Sequence, residues 1–133
     1  MIQGISHITF IVKDLKKATK FFKTIFDAKE VYSSGDNTYS LSKEKFFLIN
    51  GMWIAIMKGD SLKEKTYNHI AFKVSPEVFK KYVEKVQKLG VEIKNPRGRV
   101  IVEGNSLYFY DYDNHLFEIH TGTLEERLKK YKS

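Results

Sequence analysis

Cysteine is absent from the 133 residues of this chain. That excludes disulfides, thiolate metal sites and cysteine nucleophiles together. Long apolar runs are absent as well. The longest are a few residues, against the ~20 that a membrane span requires. The first residues, MIQGISHITFIVKD, have no basic start followed by an apolar run. No signal peptide is therefore expected, and the expected location is the cytoplasm, with no membrane partner. What is present is apolar and aromatic: 42% hydrophobic residues, with ten Phe, eight Tyr and one Trp. Such a chain builds a core and is not disordered. Its length fits one domain, at roughly 150 residues per domain.

Lys and Arg number 23 against 16 Asp and Glu, giving a net charge of +7. This admits a nucleic-acid partner, an anionic small molecule, or a solvated lysine surface. Many lysines fall in helix-like segments (Lys16, Lys17, Lys20, Lys23; Lys80, Lys81, Lys85, Lys88). They read as the wet faces of amphipathic helices. No recognised nucleic-acid motif is present, so no nucleic-acid partner is expected.

The chain repeats itself. His7-Ile8-Thr9-Phe10-Ile11-Val12 matches His69-Ile70-Ala71-Phe72-Lys73-Val74 at an offset of 62. Each His opens an alternating apolar stretch, the period-two signature of a strand. A helix follows each. The first begins near Asp14, a good N-cap, with Leu15, Ala18, Phe21, Phe22 and Ile25 as its stripe. The second begins at Ser75-Pro76, carries Phe79, Tyr82, Val83, Val86 and Leu89, and is capped by Gly90. Strands are predicted at 30–33, about 38–49 and 52–57, with a hairpin turn at Asn50-Gly51. In the second half they are predicted at 91–94, 106–111 and 115–120, with a turn at Tyr112-Asp113-Asn114. The same offset maps Phe46 onto Tyr108 and Ile56 onto Glu118. Thr123-Leu124-Glu125-Glu126 reads as a capping box opening a last helix.

The reading is an α+β fold of two paired βαβββ modules forming an open, cup-shaped sheet. One domain covers 1–133, with module one at about 1–62, module two at about 63–120 and a C-terminal helix at about 123–131. Ile8, Phe10, Val12, Ile70, Phe72, Val74, Phe117 and Ile119 face the helices. His7, Thr9, His69, Ala71, Ser106, Tyr108, Tyr110, Glu118 and His120 take the other parity and line the cup. Polar groups gathered on a concave face need a reason.

His7 and His69 occupy equivalent places in the two modules, and Glu118 has the same parity. Two imidazoles and a carboxylate suit a divalent cation with open positions. The symmetric partner of Glu118 is Ile56, which cannot ligate, so the protein supplies three ligands. An incomplete shell favours catalysis or ligand capture over a structural metal. His115 sits at a turn and reads as solvated. His120 reads as a group behind the ligands.

These features resemble the vicinal oxygen chelate (glyoxalase-type) superfamily over nearly the whole chain. The strings GISHITFIVKDL, YNHIAFKV and EGNSLYFYDYDNHLFEIHTGTLEERL are similar to its fosfomycin-resistance branch. That branch contains transferases using glutathione, cysteine or bacillithiol, and hydrolases of the FosX type. The resemblance implies fosfomycin, a small epoxide bearing a phosphonate, as substrate. It implies a homodimer in which each metal takes His7 from one subunit and His69 with Glu118 from the other. Oxygen-rich ligation leans towards Mn²⁺ among the cations this set suits.

Water as nucleophile needs a positioned base, whereas a thiol is already partly ionised near neutral pH. Glu44 maps onto Ser106 by the offset, which aims its side chain into the cup in register with Phe46. The resemblance adds that hydrolases of the branch carry a Glu here. Glu44 is therefore the expected base. The other reading of Lys43-Glu44-Lys45 is a solvated loop tip. For the phosphonate, Arg97 and Arg127 align with basic positions of the family, and the planar guanidinium fork suits such oxygens. Arg127 alternatively pairs with Glu125 or Glu126 at the surface. Ser106 and Tyr108 match a Ser-x-Tyr of the family, and Thr9 a further contact. Tyr39 and Trp53 match family positions that serve equally as core or cup wall, and Arg99 is undecided. The stretch 98–105 departs from the glutathione transferases: Val100-Ile101-Val102 lacks the side-chain oxygens of their monovalent-cation loop. The expected activity is metal-dependent hydrolysis of fosfomycin to the vicinal diol. A thiol transferase and a non-catalytic drug-binding resistance protein are the rivals.

Overall fold

Asp14 starts the first helix as a cap should: its carboxylate accepts from the Lys17 amide at 3.0 Å. The computed structural model describes residues 1–94 and 105–132. In it the chain divides into two compact units, Met1–Glu64 with Tyr112–Asn114, and Lys65–Asp111 with His115–Ser133. Hydrogen bonding gives each unit its own four-stranded mixed sheet.

The first unit runs β1 (His7–Val12), α1 (Leu15–Phe26), β2 (Lys29–Ser33), β3 (Glu44–Ile49) and β4 (Met52–Lys58), in sheet order β1-β4-β3-β2. β1 is parallel to β4, and the other pairs are antiparallel. Asn50 and Gly51 both have positive φ, 46° and 80°. That is what a two-residue hairpin turn twisted to match its strands requires. Phe21, Phe22 and Ile25 of α1 are fully buried, and Phe22 lies 5.9 Å from the rings of both Phe10 and Phe47. Tyr112–Asn114 completes this unit: Asp113 Oδ1 accepts from the Lys13 amide at 2.9 Å and the Ser61 hydroxyl at 2.5 Å.

The second unit repeats the order with β5 (His69–Lys73), α2 (Phe79–Leu89), β6 (Ile93–Lys94), β7 (Ser106–Tyr110) and β8 (Leu116–His120), arranged β5-β8-β7-β6. Ser75-Pro76 opens a 3-10 turn, Pro76–Val78, before α2 proper begins. Phe72, Phe109 and Phe117 stack on the helix-facing side with Val86 of α2 buried. α3 (Leu124–Lys132) follows, its first turn closed by the Glu126 amide donating to the Thr123 hydroxyl. Among the described residues no helix is long and apolar enough to cross a membrane.

Two expectations need correction. The strand predicted from about 38 begins only at Glu44. Tyr39 and Leu41, which supply the alternation there, are 76% and 90% exposed and pack on no sheet face. The offset of 62 also fails in the last strand. Thr9 pairs with Ala55, and its counterpart Ala71 pairs with Glu118. The counterpart of Glu118 is therefore Ala55, not Ile56. Between Asp111 and His115, which stand opposite each other as Ile49 and Met52 do, the second hairpin holds three residues where the first holds Asn50 and Gly51, and the extra one slips the register. Ala55 ligates no better than Ile56 would, so the count of three candidate ligands stands.

Phe22 joins both apolar layers of the first unit. Phe22→Ala should destabilise by about 3–5 kcal/mol, the range for a buried aromatic truncation. Urea unfolding measures this, and a loss below about 1 kcal/mol would contradict the packing described.

Candidate functional site

Register places the site residues of the first unit on one face. Opposed strand residues share a face, and the pairs are His7 with Trp53, Thr9 with Ala55, Phe46 with Ala55, and Glu44 with Met57. The His7 ring stacks on Trp53 at 4.1 Å, Trp53 meets Phe46 at 5.2 Å, and Phe46 meets Tyr32 at 4.9 Å. His7 thus stands at the end of an aromatic row. Trp53 belongs to this face as a wall, while Tyr39 is exposed. Among the described residues, Trp53 Nε1–H is the one buried side-chain polar group without a hydrogen-bond partner. Sequence reasoning did not single out that donor.

Glu44 is not a loop tip. It is the first residue of β3, only 9% exposed. Its backbone is fixed on both sides by Ser34: the Glu44 amide donates to Ser34 Oγ at 3.0 Å, and the Glu44 carbonyl accepts from the Ser34 amide at 3.0 Å. The flanking lysines are engaged elsewhere, Lys43 with Asp36 at 3.5 Å and Lys45 with Glu30 at 3.1 Å. Among the described residues the Glu44 carboxylate has no hydrogen bond or ion pair. The side chain is largely covered, yet its carboxylate pairs with no protein group among the described residues, which leaves its oxygens open to water or a ligand.

In the second unit Ser106 pairs with His120, Tyr108 with Glu118, and Ala71 with Glu118. A cavity of about 280 Å³ is lined by His69, Glu118, His120, Thr123 and Arg127, among others. Glu118, 3% exposed, has Oε1 at 3.0 Å from His69 Nε2. Its Oε2 accepts from Ser106 Oγ at 2.6 Å and lies 3.2 Å from His120 Nδ1. Arg127 Nη2 reaches His120 Nε2 at 3.4 Å, so its head turns to this cavity. Tyr67 O–H donates to Tyr108 O–H at 3.0 Å. Part of this face is apolar: Tyr108, Tyr110 and Leu116 form a buried cluster. His115 is not solvated, because Asp111 Oδ2 holds its Nδ1 at 2.8 Å. Arg97 and Arg99 lie outside the described residues.

His69 and Glu118 fit a divalent cation on the chemistry of their atoms. His69 Nδ1 is 2.7 Å from the Tyr67 carbonyl, which can only accept. Nδ1 therefore carries a proton. Nε2 lies 3.0 Å from a Glu118 carboxylate oxygen, close enough for the two atoms to serve one cation together. An imidazole fixed through its other nitrogen is also how metal-ligating histidines are oriented. His7 belongs to the first unit. Among the described residues of one chain, no three His, Cys, Asp or Glu side chains group to hold a metal.

A profile of the Glyoxalase/Bleomycin resistance protein/Dioxygenase superfamily matches residues 4–119. Fosfomycin resistance protein FosX of Listeria innocua is 66% identical over 131 residues, 98% of each chain. A crystal structure of a variant FosX from Listeria monocytogenes, complexed with Mn(II) and 1S,2S-dihydroxypropylphosphonic acid, matches with a TM-score of 0.89. It is 61% identical and covers 98% of this chain and 99% of that one. Metallothiol transferase FosB of Lysinibacillus sphaericus is more distant, 36% identical over 98% of this chain and 91% of its own. The chain belongs to the vicinal oxygen chelate (glyoxalase-type) superfamily and, within it, to the FosX fosfomycin resistance proteins.

Glu118→Gln keeps the shape of the site but replaces an anionic oxygen with a neutral amide. Mn(II) affinity should fall by about 10-fold or more, since a hard cation favours carboxylate oxygen. Calorimetric titration measures this, and unchanged affinity would contradict the donor set.

Proposed function

We propose that the protein is a metal-dependent fosfomycin hydrolase, a cytoplasmic homodimer that adds water to the epoxide and so confers resistance. The observation that carries the reading is the Glu44 carboxylate, on a largely covered side chain and without a partner among the described residues. A water nucleophile needs a base in that condition, and a thiolate does not. The identity to FosX proteins supports the substrate. The Mn(II) and the dihydroxypropylphosphonic acid in the FosX crystal support the metal and the product class.

Glu44 accepts a proton from water as the water oxygen bonds to a ring carbon. The ring C–O bond breaks, its electron pair stays on oxygen, and that oxygen takes up a proton to complete the diol. Bound by His7, His69 and Glu118, Mn²⁺ would supply Lewis acidity to the epoxide oxygen. Thr9, Arg97, Ser106, Tyr108 and Arg127 are the groups we assign to the substrate, the two arginines to its phosphonate. The stacked ring of Trp53 holds His7 in place.

The three ligands are divided between the two units, and we infer that pairing of two subunits completes each set. Ile2 and Ile5, just before His7, are 90% and 83% exposed. Apolar side chains so placed suit burial against a second copy.

Glu44→Gln preserves size and removes the base. Diol formation from fosfomycin should fall by about 10²–10⁴-fold, the usual worth of a general base. Mn(II) binding should persist, because none of the assigned ligands is altered. Diol formation at the wild-type rate would contradict the hydrolase reading.

A further inference from the structure

The outer oxygen of Glu118, Oε2, belongs to a small cluster of polar atoms. Ser106 Oγ is 2.6 Å from it, His120 Nδ1 is 3.2 Å from it, and those two atoms are 2.7 Å from each other. The direction of each bond follows from what its atoms can give. A carboxylate oxygen only accepts, and a serine hydroxyl has one proton. In the free site that proton goes to Oε2. Ser106 Oγ then accepts, and the proton between it and His120 belongs to Nδ1. At the other side of the ring, Nε2 faces Arg127 Nη2 at 3.4 Å. A guanidinium has only donors, so the Arg127 contact uses Nε2 as its acceptor, and Nδ1 is the donor on the side of Ser106 and Glu118. Each bond from Arg127 through His120 and Ser106 points towards Glu118.

We propose that His120 is a positioning residue that takes over Glu118 Oε2 when the Ser106 hydroxyl turns to the substrate. This rests on the reading in which Glu118 ligates the cation and Ser106 contacts the phosphonate. Phosphonate oxygens, like carboxylates, have no proton to give when ionised. Ser106 must therefore use its single proton to bind one, and that proton leaves Oε2. His120 Nδ1–H is already 3.2 Å from Oε2. The exchange needs one hydroxyl rotation and a change of acceptor for one N–H. No proton changes its owner. The buried carboxylate keeps a donor in both states, so its orientation towards the cation does not depend on whether substrate is bound.

The test is a double-mutant cycle read by Mn(II) calorimetry without substrate, a measurement independent of turnover. Ser106→Ala and His120→Leu should each weaken Mn(II) binding by about twofold or less, because the remaining donor holds Oε2. The double variant should lose about 30-fold, within the range for loss of the groups behind a metal ligand. His120→Asn places an amide N–H₂ near the position of Nδ1. On the Ser106→Ala background it should return affinity to within about threefold of wild type. A misfolded protein would not give that rescue. A double variant no weaker than the product of the single effects overturns the proposal. So does a loss in Ser106→Ala alone as large as in the double variant. Glu118→Gln separates the two levels of the account. If it binds Mn(II) like wild type, the ligand assignment fails and this proposal with it. If it binds weakly while the cycle is additive, the exchange at Oε2 alone fails.

Discussion

A buried carboxylate has to be matched by donors or by a cation, and Glu118 sets that requirement at the middle of β8. Its neighbours are arranged accordingly. The parallel β5–β8 pairing brings His69 to one oxygen, and the antiparallel β7–β8 pairing brings Ser106 to the other. His120, two residues along the same strand, has the same parity and closes the cluster. Arg127 reaches it from the first turns of α3. Strand register and the placement of the last helix both serve this one anionic group.

The two modules show how a repeat diverges into a site. Glu44 and Ser106 are equivalent: one pairs with Met57, the other with His120, at matching places in their hairpins. In the second unit the position supplies a hydroxyl that donates to Glu118. In the first it carries a carboxylate, and its cross-strand neighbour Met57 has no proton to donate. The same backbone location therefore yields a hydrogen-bonded hydroxyl in one module and a carboxylate without a partner among the described residues in the other. His7 and His69 retain the same chemistry but differ in support, one stacked on Trp53, the other hydrogen-bonded to the Tyr67 carbonyl.

Most of this was legible because strand parity is rigid. Once His7 and His69 were aligned, alternation assigned His7, Thr9, Glu44, Ser106, Tyr108, Glu118 and His120 to their faces. Alternation carries no information on loop length, so it does not show the extra residue of the β7–β8 turn and matches Glu118 to Ile56 instead of Ala55. Alternation also extended β3 back to about residue 38, where Tyr39 and Leu41 have the pattern but no surface to cover. From the sequence His115 reads as solvated, because its partner Asp111 lies across a turn and spacing alone does not show a turn closing on itself. The polarity of the hydrogen bonds around His120 depends on distances and not on sequence.

The central claim is that water, not a thiol, opens the ring. Phosphorus NMR of the wild-type protein with Mn(II) and fosfomycin, in ¹⁸O-labelled water with no thiol added, tests it most directly. The fosfomycin signal should give way to that of dihydroxypropylphosphonate, with one labelled oxygen on carbon. A fosfomycin signal that persists until a thiol is supplied would contradict it.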